Sequence, residues 1–398
     1  MKILVVSHKA PFPIVDGGCK AMARMLLDLL QTPGLECLDY FVFSTAKHPF
    51  DAAAFPSDPR LHLHSFELDT SLVWHQALRH LLKGRSYNLV RFQNNRILQN
   101  LQRMLSHNGY DFVVFESLFA AIYAAPLRSY STAAFLYRAH NIEYRIWKDL
   151  AKNEKNPLKK WYLRQLAHTL KWEERRIWSE EQGALNLIVP ISLQDTQDME
   201  AQTLTPLAFI PASIPTSQFS STLNTKRLCF IGAFDWKPNI EAVEWFLNDV
   251  FPALLKQDPT LEFHIAGRDS KKQNWQQLPQ VVVHGFVPDS DQFIATHGLF
   301  VGAMQSGSGV KMKILEAFSV GAPLVLSPKA ADGLQDIPAA YLQQDAAQFT
   351  EEISRLLRDK SALEERANWG KTYLQTHFSP SAIQTDLQRI MAELQNNG

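Results

Sequence analysis

"KRLCFIGAFDWKPNIEAVEWFLNDVFPALLKQ", residues 226–257, reads as one strand, one loop and one helix. The apolar run at 228–231 is short, β-rich and bounded by Gly232, as a buried strand should be. Beyond the Trp-Lys-Pro loop, apolar residues recur at helical spacing. The unit then repeats. "LEFHIAG" (261–267), "VVVHGFV" (281–287), "LFVGAM" (299–304) and "APLVLSP" (322–328) are further compact apolar runs separated by helical or loop segments. Alternation of this kind predicts a parallel sheet covered by helices.

Upstream the same pattern appears independently. "KILVVSH" (2–8), "LDYFVFST" (38–45), "DFVVFES" (111–117), "TAAFLYRAHN" (132–141) and "LNLIVPIS" (185–192) read as strands, with "CKAMARMLLDLL" (19–30) as a helix. Between the two series lies "PASIPTSQFSSTLNTK" (211–226), rich in Pro, Ser and Thr and poor in charge, which suits a linker. The reading is two doubly wound α/β domains, 1–208 and 209–378, facing a cleft, with an amphipathic helix at 379–398 that either finishes the second domain or crosses back to the first.

Charge and composition narrow the function. Lys+Arg and Asp+Glu both number 40, so no basic excess points to nucleic acid, although residues 1–200 carry 24 basic against 20 acidic side chains. Three cysteines show no paired spacing, which fits a reducing cytoplasm rather than a disulfide framework. The first apolar run is broken by His8 and Lys9 and reads as a strand, not a leader. No run approaches the roughly 18 apolar residues of a membrane span, so any membrane contact is expected to be peripheral, at the inner face.

The chemistry concentrates in "GSGVKMKILEAF", residues 307–318. Gly307 and Gly309 follow a strand, where backbone without a Cβ can approach a ligand. A helix starting near Val310 would aim free N–H groups and its positive dipole end at an anion. Lys311 and Lys313 add positive charge suited to a diphosphate. Gly309, Lys313 and Glu316, spaced by four and three, would share a face, and Glu316 would be placed to accept hydrogen bonds from ribose hydroxyls. The plain alternative is an exposed i, i+3 pair, Lys313 with Glu316, after an ordinary α/β loop.

In order and spacing, "PFPIVDGG", "YRAHNIEYRIW", "VPISLQD", "FIGAFDWKPNIEAVEWF", "VVVHGFVPD" and "GSGVKMKILEAFSVGAPLVLS" resemble the family 4 glycosyltransferases, which have the two-domain GT-B fold. The resemblance implies a retaining enzyme that moves a sugar from a nucleotide-diphosphate sugar to a glycan or lipid-linked acceptor, in bacterial-type polysaccharide or glycolipid synthesis, without a metal or other cofactor. It puts Glu316 at the ribose-binding glutamate of the family's paired-glutamate motif and Ser308 where the other glutamate stands. Gly307 to Gly309 would offer backbone N–H groups to the donor instead. The loop after Gly232 has Ala233 where relatives carry Arg and Asn239 near a Lys position, so phosphate neutralisation would fall on Lys311 and Lys313, with Lys237 secondary. Gly17 and Gly18 resemble the glycine pair that approaches the diphosphate, or else form a plain turn. His140 matches a histidine near the reacting carbon, and its surroundings are Arg138, Asn141 and Glu143. Glu116 either orients an acceptor hydroxyl or pairs with Arg138.

His62 and His64 share a face of a probable strand, with no carboxylate or cysteine expected to complete a metal site. Gly267, Arg268 and Phe286 are neighbours of a base-reading position. Residues 151–178 hold eight Lys+Arg against three Glu, with Trp161, Tyr162, Trp172 and Trp178 interleaved. Such a stretch either lies on an anionic bilayer or is a solvated helix whose aromatics face the core. Two other functions share these features, a sugar-nucleotide epimerase and a non-catalytic nucleotide-sugar or glycan binder.

Overall fold

The computed structural model describes residues 1–179, 183–307 and 309–396. The chain divides into two compact units, Met1–Ala212 together with Ile383–Gly398, and Ser213–Ala382.

The first unit is built on β1 (Lys2–Ser7), β2 (Cys37–Ser44), β3 (Leu61–Glu67), β4 (Phe112–Glu116), β5 (Ala134–Ala139) and β6 (Leu187–Pro190), in the order β3-β2-β1-β4-β5-β6. All five pairings are parallel. Central strands such as "KILVVS" and "FVVFE" are buried along nearly their whole length, because helices cover both faces and leave no wet side. One face carries Phe115, Phe135, Tyr137 and Trp178, and the other carries Ile3, Val5, Leu38 and Leu136.

The last helix, Pro380–Asn396, closes that second face: Ile383, Leu387, Ile390 and Met391 pack with Met25 and Leu29 of the helix Gly17–Leu30. Its four buried residues recur at spacings of four, three and one, a single helical stripe.

The second unit uses β7 (Arg227–Ile231), β8 (Glu262–Ala266), β9 (Val281–Gly285), β10 (Leu299–Gly302) and β11 (Leu324–Leu326), in the order β11-β10-β7-β8-β9, again all parallel. In both sheets the order reverses beside the first strand, so loops at the carboxyl ends of neighbouring strands diverge there and leave room for a ligand.

The charged and aromatic stretch lies in two helices, Glu143–Asn153 and Pro157–Trp178, divided where Asn156 caps the second with its side chain and Pro157 opens it. Neither bilayer nor core takes all its aromatics: Trp178 is fully buried, whereas Trp161 and Trp172 are exposed. Among the described residues no helix is long and apolar enough to cross a membrane.

Candidate functional site

In the second unit, the residues singled out from sequence gather at the carboxyl ends of β7 and β10. The helix Met312–Val320 starts two residues later than the sequence suggests, with Lys311 at its cap and no side chain capping it. Gly309 therefore stands outside the helix, and its expected sharing of a helical face with Lys313 and Glu316 does not hold. Gly307 (φ 99°) and Gly309 (φ 73°) occupy left-handed backbone that other residues rarely adopt, which bends the loop into the helix. Val310 is half-buried in that loop, and Ser308 lies outside the described residues.

Lys313 reaches back over β7. Its ammonium stands 4.4 Å from the Phe230 ring centroid and hydrogen-bonds the Asn239 side-chain oxygen. Asn239 in turn donates to the Ala233 carbonyl at 2.7 Å. A Cβ on Gly232 would lie 2.8 Å from Asn239 Nδ2 and 3.0 Å from Lys313 Nζ, so any larger residue there would make these groups shift. Burial pulls the Lys313 ammonium down to about 7, against a smaller opposing pull from the Glu316 carboxylate. Lys313 is thus no free-standing cation but a proton-exchanging group near neutrality.

Glu316 is buried on the same helix. Lys311, also buried, donates to the Gly309 carbonyl at 2.8 Å and holds the glycine loop. Lys237, by contrast, is exposed and pairs with Glu241 at 3.4 Å, one turn along its own helix Lys237–Trp245. Glu241 also accepts from Ser306 Oγ, which ties this helix to the loop before Gly307. Phe286 is strongly exposed just beyond β9, and Arg268 is tied to Asp235 at 2.7 Å.

In the first unit a second cluster forms at the ends of β1, β4 and β5. Glu116 and Arg138 are cross-strand partners in register, and period two puts His140 on the face of Arg138. Glu116 Oε2 lies 2.5 Å from His140 Nε2 and 3.6 Å from Arg138 Nε. Both members of the ion pair are essentially unexposed. Of the two readings of Glu116, the pairing with Arg138 is present within this unit. The Arg138 side chain turns inward beneath the C-terminal helix, beside a cavity of about 20 Å³ lined by Met25, Leu136 and Met391, room for one water molecule. Asn141 hydrogen-bonds Glu143.

Residues not singled out complete this cluster. Ser117 carries φ 84°, a strained conformation for a side chain other than glycine, at the sharp passage from β4 to a helical turn. Its Oγ lies 2.7 Å from His8 Nδ1, and burial together with the Lys9 charge holds His8 well below the usual imidazole range. Gly17 and Gly18 form the first turn of the helix Gly17–Leu30, and Asp16 caps it by accepting from the Cys19 amide at 2.8 Å. Burial would raise the Asp16 carboxyl, but Lys9, 2.8 Å away, and the hydrogen bonds it receives hold it well below the carboxylate range. The signals for these residues were polar groups directly after apolar strands, "SHK" and "FES".

Glu143 opens the helix Glu143–Asn153, and Glu174 from the next helix accepts from the amides of Glu143 and Tyr144 at 2.9 and 3.0 Å, a long-range cap. Burial pushes the Glu143 carboxyl up to about 7. The folded state then holds a proton between about 4.5 and 7 that the unfolded chain has released, so this residue's contribution declines as pH rises through that window. Glu143→Gln is expected to stabilise the protein above about pH 8, by at most about 3 kcal/mol, and to be neutral near pH 4.5. Urea melts at the two pH values would check it; an equal effect at both would contradict the assignment.

Residues 225–359 match the family model described as Glycosyl transferases group 1. The chain is 23% identical to an uncharacterised 44.6 kDa protein in the cps region of Klebsiella pneumoniae, across 96% of this chain and 97% of that one. Its fold is similar to sucrose-phosphate synthase from Thermosynechococcus elongatus, with TM-score 0.69 and 15% identity over the full length of both. Anabaena HepE in complex with UDP-glucose matches at TM-score 0.62 and 14% identity, over 99% of this chain and 100% of that one. The pneumococcal O-GlcNAc transferase GtfA in complex with UDP and GlcNAc matches at TM-score 0.60 and 12% identity, over 99% of each. The fold is GT-B. The second unit carries the match to the group 1 glycosyl transferase model.

Proposed function

We propose that the protein is a retaining glycosyltransferase of family 4 type that takes its sugar from a nucleotide-diphosphate donor, with no metal in the chemical step. The observation that carries this reading is the convergence of Gly232, Lys311, Lys313, Gly307, Gly309 and buried Glu316 at the ends of two adjacent parallel strands. Glu316 would hold the ribose hydroxyls and the lysines the diphosphate, with Lys237 and Val310 at the rim. Phe286 offers a ring to the base. His140, Gly17 and Gly18 are the first unit's proposed donor-side groups, with Asn141 and Glu116 behind them on the acceptor side.

In the proposed front-face step, an acceptor hydroxyl oxygen bonds the anomeric carbon on the side from which the diphosphate departs. The carbon–oxygen bond to phosphate breaks as the new one forms, and the hydroxyl proton passes to a diphosphate oxygen. Lys313 and Lys311 would stabilise the charge that develops there. The cps-region relative supports a polysaccharide or lipid-linked acceptor. Exposed Leu158, Trp161 and Trp172 on a basic helix support delivery of such an acceptor from an anionic membrane surface.

A thermal-shift panel of UDP-, GDP-, ADP- and dTDP-sugars, followed by calorimetry with Glu316→Gln, tests the reading. One nucleotide series should stabilise the protein, and Glu316→Gln should weaken it by about 1–3 kcal/mol for nucleoside and nucleotide alike. Isomerised donor without acceptor would mark an epimerase instead, and unchanged affinity in Glu316→Gln would remove the ribose role. Flotation with anionic vesicles at low salt tests the membrane contact, which absence of binding would refute.

A further inference from the structure

Three histidines far apart in sequence meet in the second unit: His264 in the middle of β8, His284 near the end of β9, and His297 at the end of the helix Ser290–His297. We propose that they form a binding site for one divalent transition-metal ion of the zinc type, tying β8, the edge strand β9 and that helix together. One ring nitrogen from each lies within 4.8 Å of the other two.

The hydrogen bonds around the rings assign the nitrogens. His264 Nε2 faces the Glu262 carboxylate at 3.1 Å, which leaves Nδ1 for a cation. His297 Nδ1 donates to the Phe293 carbonyl at 2.6 Å, one turn back, which leaves Nε2. Outer partners of this type, a carboxylate and a backbone carbonyl, are what fix tautomer and orientation in metal-bound histidines. The inner pair is the telling contact. His264 Nδ1 and His284 Nε2 lie 2.9 Å apart, so one proton sits between two ring nitrogens that face each other. A metal ion can replace that proton, His284 moving its hydrogen to Nδ1, with the nitrogens separating to about 3.3 Å around a tetrahedral ion with bonds of about 2.0–2.1 Å. Three nitrogen donors select ions such as Zn²⁺, Ni²⁺ or Co²⁺ over Mg²⁺ or Ca²⁺.

Two other groups, Asp16 with Cys19 and His48, and Cys37 with Asp39 and His62, bring possible ligands equally close. The second corrects the expectation that His62 lacks such neighbours; β2 and β3 pair in register with Asp39 opposite His62. Both are poorer sites. Asp16 is committed to Lys9, Asp39 to His64 at 2.6 Å and to Tyr110 at 2.7 Å, and burial pushes the Cys37 thiol up to about 11. The histidine trio also stands apart from the nucleotide site: His297 precedes Gly298, which packs against the start of β7, whereas Gly232 follows its end.

The full-length chain, stripped with chelator and titrated with zinc chloride by calorimetry, should bind one ion per chain and melt at a higher temperature when loaded. Half-buried His284→Gln and His297→Gln should each lose more than tenfold in affinity while keeping the wild-type circular dichroism, and Glu262→Gln should lose about tenfold to a hundredfold. Cys19→Ser and Cys37→Ser should bind as wild type, and all variants should retain UDP binding. Failure of the wild-type chain to take up zinc, or stoichiometric binding that survives both histidine changes or is lost in a cysteine variant, would overturn the site. Loss of UDP binding alone would count against the nucleotide reading instead.

Discussion

The nucleoside diphosphate selected by the thermal-shift panel should bind this protein roughly tenfold more weakly for each pH unit above about 7, and its affinity should level off below that point. The cause is Lys313, whose ammonium is lowered to about 7 by burial against Phe230. A bound diphosphate puts negative charge beside that nitrogen and favours its charged form. The complex is then more protonated than the free protein between about pH 7 and the raised value in the complex, so binding takes up a proton and weakens as protons become scarce. Calorimetry at about pH 8.5, in two buffers of different ionisation enthalpy, should register close to one proton taken up. In Lys313→Met the pH dependence should vanish, and the nucleoside diphosphate should lose far more affinity than its nucleoside. A flat pH profile in the wild-type chain would remove Lys313 from the phosphate site.

The second large effect concerns stability. Glu116→Ala should cost about 3–5 kcal/mol, because it removes the carboxylate nearest the buried Arg138 guanidinium and leaves only the weaker pull of buried Asp28. His140 would lose its carboxylate partner in the same change. The double variant Glu116→Leu with Arg138→Met removes both charges, fills similar volume and should recover most of that loss. Equilibrium unfolding of the single and double variants separates the two roles weighed for Glu116. If the single variant were as stable as wild type but failed with acceptor, the pair would be recognition and not structure.

Most strands were legible because they are short, apolar and punctuated, and because parallel strands covered on both faces leave few polar interruptions, whereas the polar edge strand β3 showed only as alternating histidines. The strand-end positions of His140 and Gly232 followed from the same punctuation. What escaped the sequence depended on contacts between elements. Arg138 could be placed on β5, but its inward turn depends on a helix some 240 residues later, beginning at Pro380. Asn239 was visible only as a missing lysine, whereas the folded chain uses its amide to bridge Lys313 and the Ala233 carbonyl. The helix starts at Met312, later than its sequence implies, because two left-handed glycines prolong the loop, a backbone property that glycine permits without announcing.

The closing stripe of Ile383, Leu387, Ile390 and Met391 has a consequence for biogenesis. As the polypeptide leaves the ribosome, the N-terminal sheet emerges first but lacks the residues that seal one of its faces. The intervening lobe, continuous in sequence, can mature while its predecessor waits with that oily flank open. Nascent chains arrested before residue 383 should therefore recruit holdase chaperones through the older lobe, not the newer one.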